Sequence, residues 1–258
     1  MSTISIKYDA ATLMGDQKTN QDVFFADGFI STSQIVEQQK YSNSHDTTKN
    51  LHVFAVCDGI GMYNKSGLAA EIALDKIKEK YYESSMENSE FNAENLYMWV
   101  KETISLAKDS VLSFCKKECI KSSTTIVLLA IVNDNYILAN VGDSPAFLIK
   151  DNEIRELSLR QNMATFKELL GVMPVPGEEH ILLHHLGEKH LTIEINTGKI
   201  DGDSTFVLCS DGIMNAFTQD ELLDRVTSKN VAFDLVSYAG NTPKSDNCTA
   251  ILVHVKYT

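Results

Sequence analysis

The sequence is poor in the features that mark several protein classes. It holds four prolines, one tryptophan and five cysteines in 258 residues. No proline lies in a Pro-, Gly- or Ser-rich stretch, and no internal repeat is visible, so nothing divides residues 1–258 into separate domains. No apolar run approaches the ~20 residues that span a bilayer as a helix. The opening stretch, Met1 to Asp9, lacks the apolar centre of a secretory signal and reads as a strand. Cys57, Cys115, Cys119, Cys209 and Cys248 are odd in number and form no C-x-x-C pair, which speaks against structural zinc. Three of them, Cys57, Cys209 and Cys248, stand in apolar stretches, where a thiol behaves as a small hydrophobe. The Asn247-Cys248-Thr249 acceptor pattern means little without a secretory signal. The expectation is a reduced, cytoplasmic, soluble protein. Basic residues are also scarce. Lys and Arg total 23 against 35 Asp and Glu, a net charge of −12, which repels a polyanionic backbone and disfavours general nucleic-acid binding.

What is present is an ordinary globular balance, 43% hydrophobic and 22% charged. Runs rich in β-branched and aromatic residues predict strands at Ser5–Tyr8, Val23–Ile30 and His52–Cys57. The polar stretch Val36–Asn50 reads as a solvated loop. Helices are predicted near Ser66–Tyr82 and Ala93–Cys119. In the second, Leu96, Val100, Ile104, Ala107, Val111 and Phe114 make one stripe at helical spacing. Trp99 and the Tyr81-Tyr82 pair read as helix-packing residues. Strands follow at Thr124–Val132, Tyr136–Val141 and Ala146–Lys150, then an irregular segment from Leu157 to Lys189. Further strands are predicted at Leu191–Ile195, Thr205–Cys209 and Thr249–Val255. Between the last two, a capping box at Thr218 and Glu221 opens one helix and a second lies near Val231–Ala239. Strands in hairpin-like runs and helices in pairs predict an α+β fold. The expected architecture is a four-layer α-β-β-α sandwich of two antiparallel sheets flanked by helix pairs.

Five segments share one design: an apolar strand adjoins an Asp with Gly or Asn beside it. They are Asn20-Gln21-Asp22, Cys57-Asp58-Gly59, Val141-Gly142-Asp143, Ser210-Asp211-Gly212 and Ser245-Asp246-Asn247. A single Asp-Gly is usually only a turn. Five carboxylates at the margins of a core are costly unless something pairs with them. Few Lys or Arg flank them, and oxygen donors of this kind suit Mg²⁺ or Mn²⁺.

The spelling of these segments resembles the metal-dependent type 2C serine/threonine protein phosphatases, in a compact bacterial form. The family's Asn-(Gln/Glu)-Asp matches Asn20-Gln21-Asp22, and its Asp-Gly-x-Gly-Gly resembles Asp58-Gly59-Ile60-Gly61-Met62. Its Thr-Thr strand resembles Ser123-Thr124-Thr125, and its Asn-Val-Gly-Asp-Ser-Arg resembles Asn140-Val141-Gly142-Asp143-Ser144-Pro145. Its Gly-Asp and Ser-Asp-Gly block resembles Gly202-Asp203 through Ser210-Asp211-Gly212, and its Asp-Asn-x-Thr resembles Asp246-Asn247-Cys248-Thr249. The six matches run in order over almost the whole chain.

The resemblance implies two Mn²⁺ or Mg²⁺ ions and hydrolysis of phosphoserine and phosphothreonine by a metal-activated water, without a phosphoenzyme. By similarity, Asp58 bridges the ions and the Gly59 carbonyl ligates one of them. Asp211 and Asp246 complete the other, and Asp22 holds water on the metal. Asp143, with Asp211, contributes to a weaker third site. Asp22, Asp58, Asp211 and Asp246 are the implied catalytic set, and phosphoproteins with a cognate serine/threonine kinase are the implied partners. Three departures stand out. Gln17 replaces the family's phosphate-binding Arg and gives no charged, bidentate grip, with Lys18 next to it as a point charge. Ile60 stands where many members carry a His, and Met62 replaces a Gly. They motivate one alternative, a non-catalytic regulatory module; a second keeps the metal site and changes the substrate to a small phosphoester.

One further cluster is histidine-rich: His180, His184, His185 and His190. His180 and His184 are spaced to share a helix face, which reads as a polar face rather than a zinc site, since no third ligand is visible. The resemblance places Leu157–Lys189 where the family carries a variable flap, from which loop residues set substrate choice.

Overall fold

The computed structural model describes residues 4–31, 38–45, 51–61, 63, 65–86, 91–228 and 231–257. Among these, twelve strands form two six-stranded sheets. The first sheet is ordered β4 (Gln38–His45), β1 (Ile4–Leu13), β12 (Cys248–Tyr257), β11 (Ser204–Cys209), β8 (Ala146–Lys150), β9 (Glu153–Glu156). The second is ordered β10 (Glu194–Lys199), β7 (Asn135–Val141), β6 (Ile126–Val132), β5 (His52–Cys57), β2 (Val23–Ala26), β3 (Phe29–Ile30). Every pairing is antiparallel.

Three apolar layers follow from the period of two along each strand. Between the sheets lie Ile6, Tyr8, Phe24, Phe54, Leu129, Phe206 and Val253. The opposite faces of β5 and β6, with Val53, Ala55, Cys57 and Leu128, meet two long helices, α1 (Ser66–Met86) and α2 (Ala93–Glu118). On the first sheet, Val207, Cys209, Ala250 and Leu252 meet α5 (Gln219–Thr227) and α6 (Ala232–Gly240). Covered on both faces, β5 and β6 are buried at every residue, which explains their unbroken apolar spelling. The expected four-layer sandwich is the observed fold. No described helix is long and apolar enough to cross a membrane.

The helix stripe holds from Leu96 to Val111, with Trp99 and Thr103 also buried. Trp99 packs edge-on against Phe91, and its Nε1 donates to Ser84 Oγ at 2.8 Å. Asn92 caps α2 at one end and Cys119, at φ 53°, closes the other.

The structure corrects several expectations. Within the predicted loop 36–50, Gln38–His45 is an edge strand bonded to β1. An edge strand is held by main-chain hydrogen bonds to one neighbour and needs no apolar alternation; the rest of that loop, and Met62, lie outside the described residues. The single strand expected over Val23–Ile30 is a hairpin. Asp27 (φ 48°) and Gly28 (φ 110°) form its two-residue turn, a conformation Asp-Gly favours. The strand expected at Leu191–Ile195 begins at Glu194, opposite Asn140, while Leu191 and Ile193 pack on the helix-side core. The irregular stretch holds a short helix, α3 (Met163–Leu169), and a 3-10 turn at Glu178–His180.

The turn at Asp27 is tied down. Its buried carboxylate accepts from Tyr81 Oη at 2.7 Å and lies 3.1 Å from His52 Nδ1. Tyr81 thus does more than pack helices, and Tyr82 Oη donates to the Gly28 carbonyl.

Candidate functional site

The five acids come together because each stands where a strand meets a loop at the same end of the sandwich. Asp22 leads into β2, Asp58 follows β5 and Asp143 lies in the turn after β7. Asp211 begins α4 (Asp211–Met214) just past β11, and Asp246 stands two residues before β12. In the β2–β5 ladder Val23 pairs with Cys57, so Asp22 and Asp58 are the next residues outward on adjacent strands.

Asp22 is fully buried. Its Oδ2 accepts from Ser210 Oγ and Thr249 Oγ1, each at 2.7 Å, while its Oδ1 is buried with no hydrogen-bond partner. Burial raises its pKa to about 7; the two hydroxyls oppose the rise, and the charges of Asp211 and Asp246 add to it. Behind it, Asn20 Nδ2 donates to Thr12 Oγ1 at 2.8 Å, and Thr12 Oγ1 lies 2.7 Å from Thr249 Oγ1. This chain fixes which oxygen of Asp22 is engaged and which is left over.

Asp58 is held by its backbone. Its N–H donates to Thr125 Oγ1, and its carbonyl accepts from Thr125 N–H and Thr124 Oγ1. Burial, then the charges of Asp22, Asp211, Asp143 and Asp246, pushes its pKa well up. Gly59 donates to the Gln21 carbonyl and is walled in by main chain. A Cβ there would stand 2.7 Å from the Ser66 carbonyl carbon and 2.9 Å from both Gln21 O and Gly67 N. Gly59→Ala is therefore expected to cost about 1–3 kcal/mol, read as a lower urea midpoint; an unchanged midpoint would show that the loop yields freely.

Asp143 is also raised to about 7, by burial and by Asp211, against Asn162 and Arg160, which favour its charge. Gln161 braces this turn twice, through its N–H to the Gly142 carbonyl and its Oε1 from the Gly142 N–H. Asp211 is raised by burial and by Asp246, opposed by a hydrogen bond from Asp58 and by His180. Asp246 is exposed, and its Oδ1 accepts the Asn247 N–H at 2.8 Å. Arg160, the one Arg at these acids among the described residues, is itself engaged by Glu156.

This is an all-oxygen set with too little positive charge to balance it and an orphaned carboxylate oxygen at its heart. Those features fit a hard divalent cation. Among the described residues, no three His, Cys, Asp or Glu side chains already stand in a coordination geometry. The acids engage hydroxyls, a neighbouring carboxyl or the backbone.

A family model described as Protein phosphatase 2C matches residues 31–240. The chain belongs to the protein phosphatase 2C family. The match includes Asp58, Asp143 and Asp211; Asp22 and Asp246 lie outside it. Serine/threonine phosphatase stp of Listeria welshimeri is 25% identical over 218 residues, covering 79% of this chain and 84% of that protein. Protein phosphatase PhpP of Streptococcus pneumoniae is 24% identical over 228 residues, covering 83% and 90%. The catalytic domain of serine/threonine phosphatase PstP, solved with two manganese ions, superposes with a TM-score of 0.76 at 17% identity. That superposition covers 98% of this chain and all of that one.

Other residues singled out in the sequence of this phosphatase 2C chain fall nearby or elsewhere. Gln17 and Lys18 are exposed on the turn that packs beside Asp246, where Lys244 N–H donates to Asp16 Oδ2. Asp203 is remote in role: it pairs with Lys256 on the surface. His180 ends the 3-10 turn, so it shares no helix face with His184. His185 instead lies 2.7 Å, through Nδ1, from Ser123 Oγ, against the ring of Tyr63. The positioning residues Ser210 and Asn247 carried no signal beyond their place in the motifs, and Thr12 carried none. Asn247 ties two loops, accepting from Gln21 N–H and donating to the carbonyls of Met14 and Thr19.

Proposed function

We propose that the chain hydrolyses phosphoserine and phosphothreonine in cytoplasmic proteins, opposing a serine/threonine kinase, with two Mn²⁺ or Mg²⁺ ions held by Asp22, Asp58, Gly59, Asp211 and Asp246. Asp143 supports a weaker third. The observation that carries this reading is the cluster of strand-end carboxylates, short of compensating cations, with Asp22 Oδ1 unpartnered at its centre. When bound, the ions supply Lewis acidity to the phosphate oxygens and acidify water at the reacting phosphorus. The chain's own part is placement. Ser210 and Thr249 occupy one oxygen of Asp22 and leave the other as a donor. Thr124 and Thr125 fix the Asp58 backbone, and Asn247 holds the 14–21 turn on the Asp246 loop. Five free cysteines suit a reducing compartment.

Gln17, Ile60 and Met62 motivated a non-catalytic reading, yet every acid of the set is retained, and that reading is not favoured. The test is initial-rate hydrolysis of a phosphothreonine peptide with Mn²⁺, with Mg²⁺ and with EDTA. Turnover that needs the metal supports the proposal; none in any condition defeats it. Gln17→Arg supplies a fixed, charged fork for phosphate. It is expected to lower KM for the peptide by about tenfold, a charge-assisted hydrogen bond's worth, with kcat little changed. An unmoved KM would mean that position 17 does not face the phosphate.

A further inference from the structure

Of the four clustered histidines, His185 is the most enclosed: 14% of its side chain is exposed, against 32% for His184 and 64% for His180, and His190 is exposed. Its Nδ1 lies 2.7 Å from Ser123 Oγ and its Nε2 3.6 Å from Glu188 Oε1, with the ring edge-on to Tyr63. Burial lowers its pKa, so the ring is neutral at pH 7 and meets the hydroxyl uncharged. The chain around it is laid along the segment that carries Ser123. Leu186 N–H donates to the Thr124 carbonyl at 3.0 Å, and Gly187 N–H to Ser123 Oγ at 2.8 Å. Leu186 is itself buried in the helix-side core. The fit is close, since a Cβ on Gly187 would stand 2.7 Å from both Ser122 O and Ser123 Oγ. Ser123 is fully buried, so its hydroxyl depends on protein partners.

On its other side the same segment holds the Asp58-Gly59 loop. Gly59 and Thr124 form an antiparallel bridge. Ile60 N–H donates to the Ser123 carbonyl at 3.1 Å. The Gly59 carbonyl and the Ile60 N–H belong to one planar peptide unit with no cis bond, so they point in opposite directions. Whatever seats Ser123 therefore aims the Gly59 carbonyl, an oxygen of the proposed metal set. The contacts run without a gap from His185 to Ser123, from Ser123 to the 59–60 peptide, and so to that oxygen.

We propose that His185 is a positioning residue of the metal centre: through Ser123 it sets the direction of the Gly59 carbonyl, and with it the affinity for the divalent cation. This rests on the phosphatase reading of the acid cluster. His185 touches neither a metal-binding acid nor a reacting group in this role; it acts on the metal only through the Ser123 backbone. Groups that orient a metal ligand directly are worth about 10–100-fold in metal affinity, and His185 stands one contact further out, so about fivefold is expected of it. The rival is a packing role alone, in which His185 fills space against Tyr63 and Glu188. Packing alone lowers stability and leaves the metal affinity where it was.

The experiment uses the whole chain. Mn²⁺ binding is titrated by calorimetry, and turnover of a phosphothreonine peptide is followed against Mn²⁺ concentration. His185→Ala is expected to raise the Kd for Mn²⁺ about fivefold, with the KM for the metal rising in step and kcat at saturating Mn²⁺ within about twofold of the parent. His185→Asn, whose side-chain amide can bond Ser123 in place of Nδ1, should restore Kd to within about twofold. Ser123→Ala removes the same bond from the other partner and should weaken binding as much. It carries the test if His185→Ala does not fold, and the two changes together should be no worse than the larger alone. A Kd that neither Ala variant moves overturns the proposal, and a loss confined to the melting temperature in EDTA does the same, as the mark of packing alone. So does His185→Asn binding Mn²⁺ as weakly as His185→Ala, because the hydrogen bond is then not what acts. Mn²⁺ binding by the parent without turnover of any phosphopeptide defeats the phosphatase reading, while the Kd comparison still decides for His185. A parent that binds no Mn²⁺ removes both.

Discussion

Asp211→Asn is expected to lower Mn²⁺-dependent hydrolysis of a phosphothreonine peptide by about a thousandfold or more, some 4 kcal/mol of transition-state stabilisation. Asn has nearly the size of Asp and keeps an acceptor oxygen, so the four-residue helix that begins at position 211 has no steric reason to change. What disappears is a charge. Asp211 sits where the fields of Asp58, Asp143 and Asp246 meet, and each of those acids either feels it or raises it. Removing it relieves repulsion in the metal-free protein while weakening the grip on the cations that the reaction needs. The variant should therefore fold well and turn over poorly. Asp203→Asn is the matched control, since that acid pairs with Lys256 on the surface. A rate for Asp211→Asn within threefold of the parent would show that the acid cluster is not where the chemistry happens.

The second large effect concerns stability without metal. Asp22 and Asp143 ionise near pH 3.8 in an unfolded chain but near 7 in the folded one. Between those values the folded protein holds protons that the unfolded chain has released. Stability must then fall as pH rises from about 4 to about 7, and level off above. Asp58 and Asp211, also raised, act in the same direction. The surface acids held low by lysine partners, such as Asp201 and Asp203, titrate below this window and are screened by water. In EDTA, the melting temperature is expected to drop from pH 5 to about pH 7 and to flatten above it. Millimolar Mn²⁺ should abolish most of the drop, because a ligand of the folded state alone adds about 2.7 kcal/mol at a hundredfold excess over Kd. A melting temperature that rises over that interval in EDTA would contradict the assigned protonation.

How much of this was legible follows from what each feature depends on. The acids were visible because their signal is local: an apolar strand, then Asp with Gly or Asn. The layers were visible because a buried strand must be apolar and a covering helix must carry a stripe. The strand at Gln38–His45 was invisible because its hydrogen bonds are made by the main chain, whatever the side chains. The Asp27-Gly28 turn had a signal that the surrounding apolar residues obscured. Ser210 and Asn247 were visible only as letters of the motifs and Thr12 not at all, since Asp22, Met14 and Thr249, which they respectively hold, lie 188, 233 and 237 positions away in sequence. Composition also had no way to foretell which apolar residues of the 157–189 segment would stay in water.

The clamp of Asp27 on His52 and Tyr81 sits at the far end of the same two strands that end in Asp22 and Asp58. Strand pairing has a period of two, so a slip by one residue would turn every side chain to the wrong face. Four ladder pairs separate the clamp from the acids, roughly 17 Å over five residues of extended chain. At one end the clamp reads the alignment of the ladder, and at the other the acids receive it. The spacing of Asp22 and Asp58 is thus partly a matter of gauge, set by a polar lock at the other end of their strands.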